Sequence, residues 1–106
     1  MATIVGAANF DQEVLKSAIP VVVDVYASWC GPCRQMMPLF EELAKELAGT
    51  YNLVKLNIDE ERDLAIQYNV SSIPTLLFFK DGKMVAKETG YMGKDVLKGK
   101  IENLLG

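Results

Sequence analysis

The stretch Val21-Val22-Val23-Asp24-Val25-Tyr26-Ala27-Ser28-Trp29-Cys30-Gly31-Pro32-Cys33 decides the fold. Its first seven residues are apolar or β-branched almost without interruption, the pattern of a central strand covered on both faces. Its last four contain both cysteines of the chain, separated by Gly and Pro. Pro32 suits the first turn of a helix, because it leaves no N–H unpaired there and its φ is preset. A helix is therefore expected over residues 32–48, with Met36, Phe40, Leu43 and Leu47 at helical spacing and Gly49 at C′. Pro38 inside this helix removes one hydrogen bond and predicts a kink.

On the N-terminal side, Thr3-Ile4-Val5 reads as a short strand. Asn9 reads as an N-cap, with Gln12 as its capping-box partner, for a helix striped by Phe10, Val14, Leu15 and Ala18 and stopped by Pro20. On the C-terminal side, residues 51–58 read as a second apolar strand. Asp59 then caps a short helix carrying Leu64, Ala65 and Tyr68. Thr75-Leu76-Leu77-Phe78-Phe79 follows as a strand, and Asp81-Gly82 signals a hairpin into Lys83-Met84-Val85-Ala86. A last helix over residues 94–105 puts Val96, Leu97, Ile101, Leu104 and Leu105 on one side, with Gly99 weakening it by about 1 kcal/mol relative to Ala. The order βαβαβαββα is that of an α/β fold. It predicts a central mixed β-sheet, parallel in part, flanked by helices on both faces. The length of 106 residues predicts a single domain, residues 1–106.

Composition narrows the function. Half of the residues are hydrophobic and 24% charged, as in an ordinary globular domain. The net charge of −3 argues against a broad nucleic-acid-binding surface. No apolar run is long enough to span a membrane. The N-terminus lacks the basic and apolar regions of a signal peptide, so a reducing, cytoplasmic setting is expected. There is no histidine, which excludes a Cys/His pair and a His general base. Two thiols fall short of the four ligands of a tetrahedral zinc site, so neither metal nor cofactor is expected.

Cys30 falls at the mouth of the expected helix, where free N–H groups and the helix dipole stabilise a thiolate. Cys33, three residues on, lies on the same face and within disulfide reach. That arrangement makes Cys30 an outer nucleophile and Cys33 an inner resolving thiol. The other readings are a structural disulfide, worth only about 2 kcal/mol for so short a loop, and two unreactive core thiols. Asp24 interrupts the buried strand. A carboxylate there is expensive unless neutral or paired, or unless the position is an edge that reaches water. Lys55 interrupts Leu53-Val54-Leu56 and is either the partner of Asp24 or a solvated, snorkelling side chain.

The active-site stretch, followed in order by Pro38, Lys55-Leu56-Asn57-Ile58-Asp59, Ile73-Pro74-Thr75, Phe79-Lys80-Asp81-Gly82 and Gly90, resembles the thioredoxin family over essentially the whole chain. Thioredoxins are the standard example of a C-x-x-C redox motif in a βαβ setting. The resemblance implies the thioredoxin fold and a protein-disulfide reductase acting as a monomer. Cys30 would attack a substrate disulfide, and Cys33 would resolve the mixed disulfide and close a redox disulfide with Cys30. Thioredoxin reductase would supply electrons, and disulfide-containing proteins would be the substrates. The Asp matching Asp24 relays the inner cysteine's proton in the family, and Lys55 joins the catalytic group if it is the Asp24 partner.

Cis X-Pro bonds are only about 5–6% of those in folded proteins, yet the family's proline matching Pro74 is cis and faces the cysteines. Ile73 would then offer backbone groups to an extended substrate segment. Substrate contact is implied for Trp29, Gly31, Pro32, Ile73, Pro74, Gly90 and Tyr91, although Trp29 could equally serve packing. Oxidising relatives commonly carry His before the second cysteine, whereas Gly31-Pro32 here favours reduction. Tyr26, Ser28 and Tyr91-Met92 depart from the usual pattern and bear on partner preference rather than chemistry. The competing readings are an oxidase or isomerase, a binding-only module, and a dimer holding metal between two C-x-x-C pairs.

Overall fold

The valine run forms β2, Val21–Tyr26, in a computed structural model that describes residues 1–106. β2 pairs in parallel with β3 (Asn52–Asn57) and antiparallel with β4 (Thr75–Lys80). β1 (Thr3–Ile4) extends the sheet beyond β3, and β5 (Lys83–Thr89) closes the other edge beside β4. The resulting order is β1-β3-β2-β4-β5, a mixed sheet. With ladders on both edges, β2 has its backbone polar groups paired away from water, which is what so apolar a run requires.

Period-two alternation divides the strands between two cores. On one face Val22, Leu76 and Phe78 meet Met36, Phe40 and Leu43 of α1 (Gly31–Glu46) and Leu97, Ile101 and Leu105 of α3 (Lys94–Leu105). On the other face Val21, Val23, Val25, Val54, Leu77 and Phe79 meet Phe10, Val14 and Ala65 of α2 (Arg62–Gln67). Phe10, Tyr68 and Phe79 pack as a trio with centroids 5.4 to 5.8 Å apart. Each fully buried Phe or Leu of this kind contributes about 1.5–3 kcal/mol through removal from water. Helices therefore lie on both faces of the sheet, as the element order predicts.

Several local expectations are corrected. Asn9 does not cap forward with Gln12. Its side chain accepts from Gly6 N (2.8 Å) and donates to Ile4 O (3.1 Å), turning back on the chain. The helix it precedes contains a π-helical turn, Asp11–Leu15, with Lys16 N bonding Asp11 O. Asp59 does not cap α2 either. A turn intervenes in which Glu60 N and Glu61 N bond Asn57 O, so α2 starts at Arg62 and Asp59 is left free to bond elsewhere. Val96 is 57% exposed rather than part of the α3 core stripe. Gly49 takes φ +88° but lies at C″ rather than at the expected C′, because α1 is capped at Leu47. α1 runs on through Pro38.

Two glycines with opposite surroundings give a test of backbone constraint. Gly82 has φ +79°, and a Cβ there would sit 2.8 Å from the Leu15 carbonyl oxygen, which ties the hairpin to the N-terminal segment. Gly99 lies inside α3 with nothing within 4 Å of an added Cβ. Gly82→Ala should lower stability by at least about 1–2 kcal/mol. Gly99→Ala should raise it by about 0.5–1 kcal/mol. Urea unfolding of the oxidised proteins measures both.

Candidate active site

The active site forms where β2 ends and α1 begins. Cys30 is the N-cap of α1, with φ −86° and ψ 115°, and its Sγ accepts a hydrogen bond from Cys33 N at 3.2 Å. Pro32 lies in the first turn, so its missing N–H costs nothing. Cys30 and Cys33 are joined as a disulfide with their Cα atoms 5.2 Å apart. Cys30 is the more accessible, at 6% against 1% for Cys33. The sulfur that N–H groups would stabilise as a thiolate is thus also the outer one.

Other predicted site residues gather around this pair unevenly. The Ile73–Pro74 peptide is cis, and Cys30 Sγ lies 3.9 Å from the Ile73 carbonyl oxygen. Gly90 N bonds Pro74 O at 2.8 Å, which brings Gly90 to the same rim. Thr75, just beyond, is held by its hydroxyl to Ser72 O at 2.6 Å. Trp29 and Ile73 share the wall of an open cleft of about 440 Å³, floored by Ile58 and Ile66 and edged by Arg62 and Asp59. Gly31, Pro32 and Tyr91 are exposed and stand outside that cleft. Behind the motif a second cleft, about 240 Å³, reaches Cys33 between Tyr26, Arg34 and Met37.

Trp29 does more than pack: it is 67% exposed and its Nε1–H donates to Asp59 Oδ2 at 2.7 Å. Sequence reasoning took Asp59 as the cap of the following helix and missed this bond.

Asp24 is fully buried, and neither carboxylate oxygen has a hydrogen-bond partner. The edge-strand reading of Asp24 is excluded by ladders on both sides of β2. Lys55 stands beside Asp24 in the parallel register, yet its Nζ bonds Glu41 Oε2 of α1 at 2.7 Å. The expected Asp24–Lys55 pair is therefore corrected. Glu41 keeps partial contact with water, so an ammonium reaching it surrenders less hydration than one sealed against Asp24. The solvated reading of Lys55 fails as well, since the residue is only 9% exposed. Burial raises the Asp24 carboxyl to about 7; the Lys55 ammonium opposes this rise and the Glu41 carboxylate adds to it. Burial would raise Glu41 too, but hydrogen bonds from Lys55 and from Ala2 N–H, with the Lys55 charge, leave it below the usual range. Glu41 was invisible in the sequence. The one clue was a lysine in a buried strand, which needs a carboxylate without saying which.

The family profile for Thioredoxin matches residues 2–103. The chain belongs to the thioredoxin family. It is 44% identical to Thioredoxin 1 of Synechococcus elongatus, across 99% of this chain and 98% of that protein. It is 46% identical to the thioredoxin of Pseudomonas aeruginosa, across 85% and 83%. Similarity to the chloroplastic M-type thioredoxin of Spinacia oleracea, at 45%, covers 95% of this chain but 56% of that longer protein. With the fold and the Cys30–Cys33 pair, family membership makes the chain a thiol–disulfide oxidoreductase that reduces protein disulfides.

The buried carboxyl yields a prediction with a definite sign. Its folded value of about 7 lies above the ordinary aspartate value of 3.8. The fold favours the protonated group, so this contribution is intact below pH about 4 and is lost as pH rises to about 7. Asp24→Asn removes the dependence. The variant should gain on the wild type between pH 4 and 7, by roughly 4 kcal/mol at the plateau. Guanidinium melts of the oxidised proteins across pH measure the difference. Equal pH dependence in both would show that Asp24 is solvated.

Proposed function

We propose that Cys30 is the attacking thiol, Cys33 the resolving thiol and Asp24 the proton acceptor of a general protein-disulfide reductase. The observation that carries this reading is the N-cap geometry, with Cys30 Sγ accepting from Cys33 N and Cys33 sealed beneath it. The Cys30 thiolate attacks one substrate sulfur, forms a mixed disulfide and expels the other sulfur as a thiolate. Cys33 gives its proton to the Asp24 carboxylate and attacks Cys30 Sγ. The mixed disulfide breaks, the substrate leaves as a dithiol after taking up protons, and the Cys30–Cys33 bond remains. Asp24 belongs in this scheme because it lies on the sheet face covered by α1 and has no competing hydrogen bond.

Substrate would dock as an extended segment against Ile73 and the cis Pro74, with Trp29, Gly31, Pro32, Gly90 and Tyr91 around it. The Ile73 carbonyl oxygen near Cys30 supports this placement. Lys55 would act on the proton transfer through its charge rather than by contact with Asp24. Thioredoxin reductase would restore the dithiol. The same reading takes residues 1–106 as one domain working as a cytoplasmic monomer without nucleic-acid partners. No helix is long and apolar enough to cross a membrane.

Cysteine variants test the roles. Cys33→Ser should accumulate mixed disulfides through Cys30 and lose turnover with insulin as substrate, while Cys30→Ser should form none. Non-reducing gels and peptide mapping give the result. An unadducted Cys33→Ser protein whose Cys30 still reacts with iodoacetamide would defeat the scheme. In the reduced wild type, Cys30 should alkylate well before Cys33.

A further inference from the structure

Asp24 and Lys55 occupy matched positions on neighbouring strands, so the nearest cation to the buried carboxyl is across one ladder rung. The Asp24 oxygens are nevertheless unpartnered, because the ammonium is drawn to Glu41 at 2.7 Å. That ion pair is mostly withdrawn from water, with 11% of the Lys55 and 19% of the Glu41 side chain exposed. Ala2 N–H donates to the other Glu41 oxygen, so the carboxylate is held from two sides. We propose that Glu41 is a positioning residue for disulfide exchange: by holding the Lys55 ammonium against α1, it leaves the Asp24 carboxyl unpaired and governs whether it can accept a proton. This deepens the proton-acceptor reading of Asp24 and rests on it.

No other charged group competes for that carboxyl. On β4, Asp24 is aligned with Leu76, which is apolar, and the next strand places Glu88 beyond it. Glu88 is engaged by Lys100 of α3 at 3.0 Å. α3 turns Leu97 and Ile101 into the core on this side, and Lys94 is bound outside by Glu42 and Glu46. From α1 come Glu41 and, in its first turn, Cys33. The disulfide keeps Cys33 silent. Glu41 and Lys55 are then the charges that act on Asp24, and their signs are opposite.

The consequence has a direction. Without the Glu41 charge, Lys55 is free to serve Asp24, and both changes favour the ionised carboxylate. The isosteric Glu41→Gln keeps one carbonyl oxygen, enough to accept from Ala2 N–H, and puts an NH2 where Lys55 was bound, so the size of the side chain is kept while the ammonium is released. The test is a carbon-13 NMR titration of the Asp24 carboxyl in the oxidised protein. Glu41→Gln should lower the midpoint by about one pH unit, the low end of what an opposite charge within reach produces. In a Lys55→Gln background the same substitution should lower it less, since no ammonium is released. An unchanged or raised midpoint overturns the proposal, and an equal shift with and without Lys55 overturns the part assigned to the lysine. The acid limb of insulin reduction against pH should move with the midpoint. If the midpoint moves and that limb does not, the hold of Glu41 on Asp24 stands and the proton-acceptor reading of Asp24 falls.

Discussion

Between Val21 and Tyr26 the chain is hydrogen-bonded along both edges, parallel to β3 and antiparallel to β4, with helices over both faces. A strand so enclosed must be apolar on both sides, and four of its six residues are valine. Just past its C-terminal end the chain turns into α1. Cys30 stands at that turn, and the strand's rigidity is transmitted to the sulfur through only three residues, Ala27 to Trp29. The disulfide closes inside the first turn of α1, against this packed sheet.

Against this enclosure stands one ionisable group that the sheet does not accommodate well. Asp24 is buried without a hydrogen bond from any protein group, and a domain with a net stability of about 5–15 kcal/mol notices such a group. The surrounding core of Phe40, Met36, Leu76 and Phe78 offsets it. Lys55 is the obvious remedy and is spent on Glu41 instead. The result is a carboxyl poised at about 7 and therefore divided between its two forms near neutrality. Residues that spoil local fit without being relieved tend to be functional rather than structural.

Which parts were legible in the sequence follows from the range of the interactions. The strands and helices came from periodicity and from Gly and Pro at their ends, all local signals, and the element order and mixed sheet followed. Cys30 and Cys33 were legible for the same reason, since their spacing and setting are contained within one turn. Misreadings arose where a side chain chose a partner other than the one its local pattern offered. Asn9 turned back to Ile4 and Gly6, Asp59 reached Trp29, and Lys55 reached across to α1. For Asp59 and Lys55 a sound local choice was overruled by a contact between segments far apart in the chain, whereas Asn9 was overruled by backbone groups just before it. Val96 failed differently. Its spacing is helical, but the core stripe of α3 narrows at its N-terminal end, leaving Leu97 inside and Val96 out.

Trp29 is the only tryptophan in the chain. Its indole is largely open to solvent, anchored through one hydrogen bond to Asp59, and separated from the disulfide by a single peptide link. Fluorescence excited at the red edge of the near-ultraviolet band therefore arises from one address, the lip of the cleft. A polypeptide settling over that lip must dry the ring, and a disulfide opening next to it must remove a nearby quencher. The molecule carries its own optical gauge for both events, with no label attached and no second emitter to subtract.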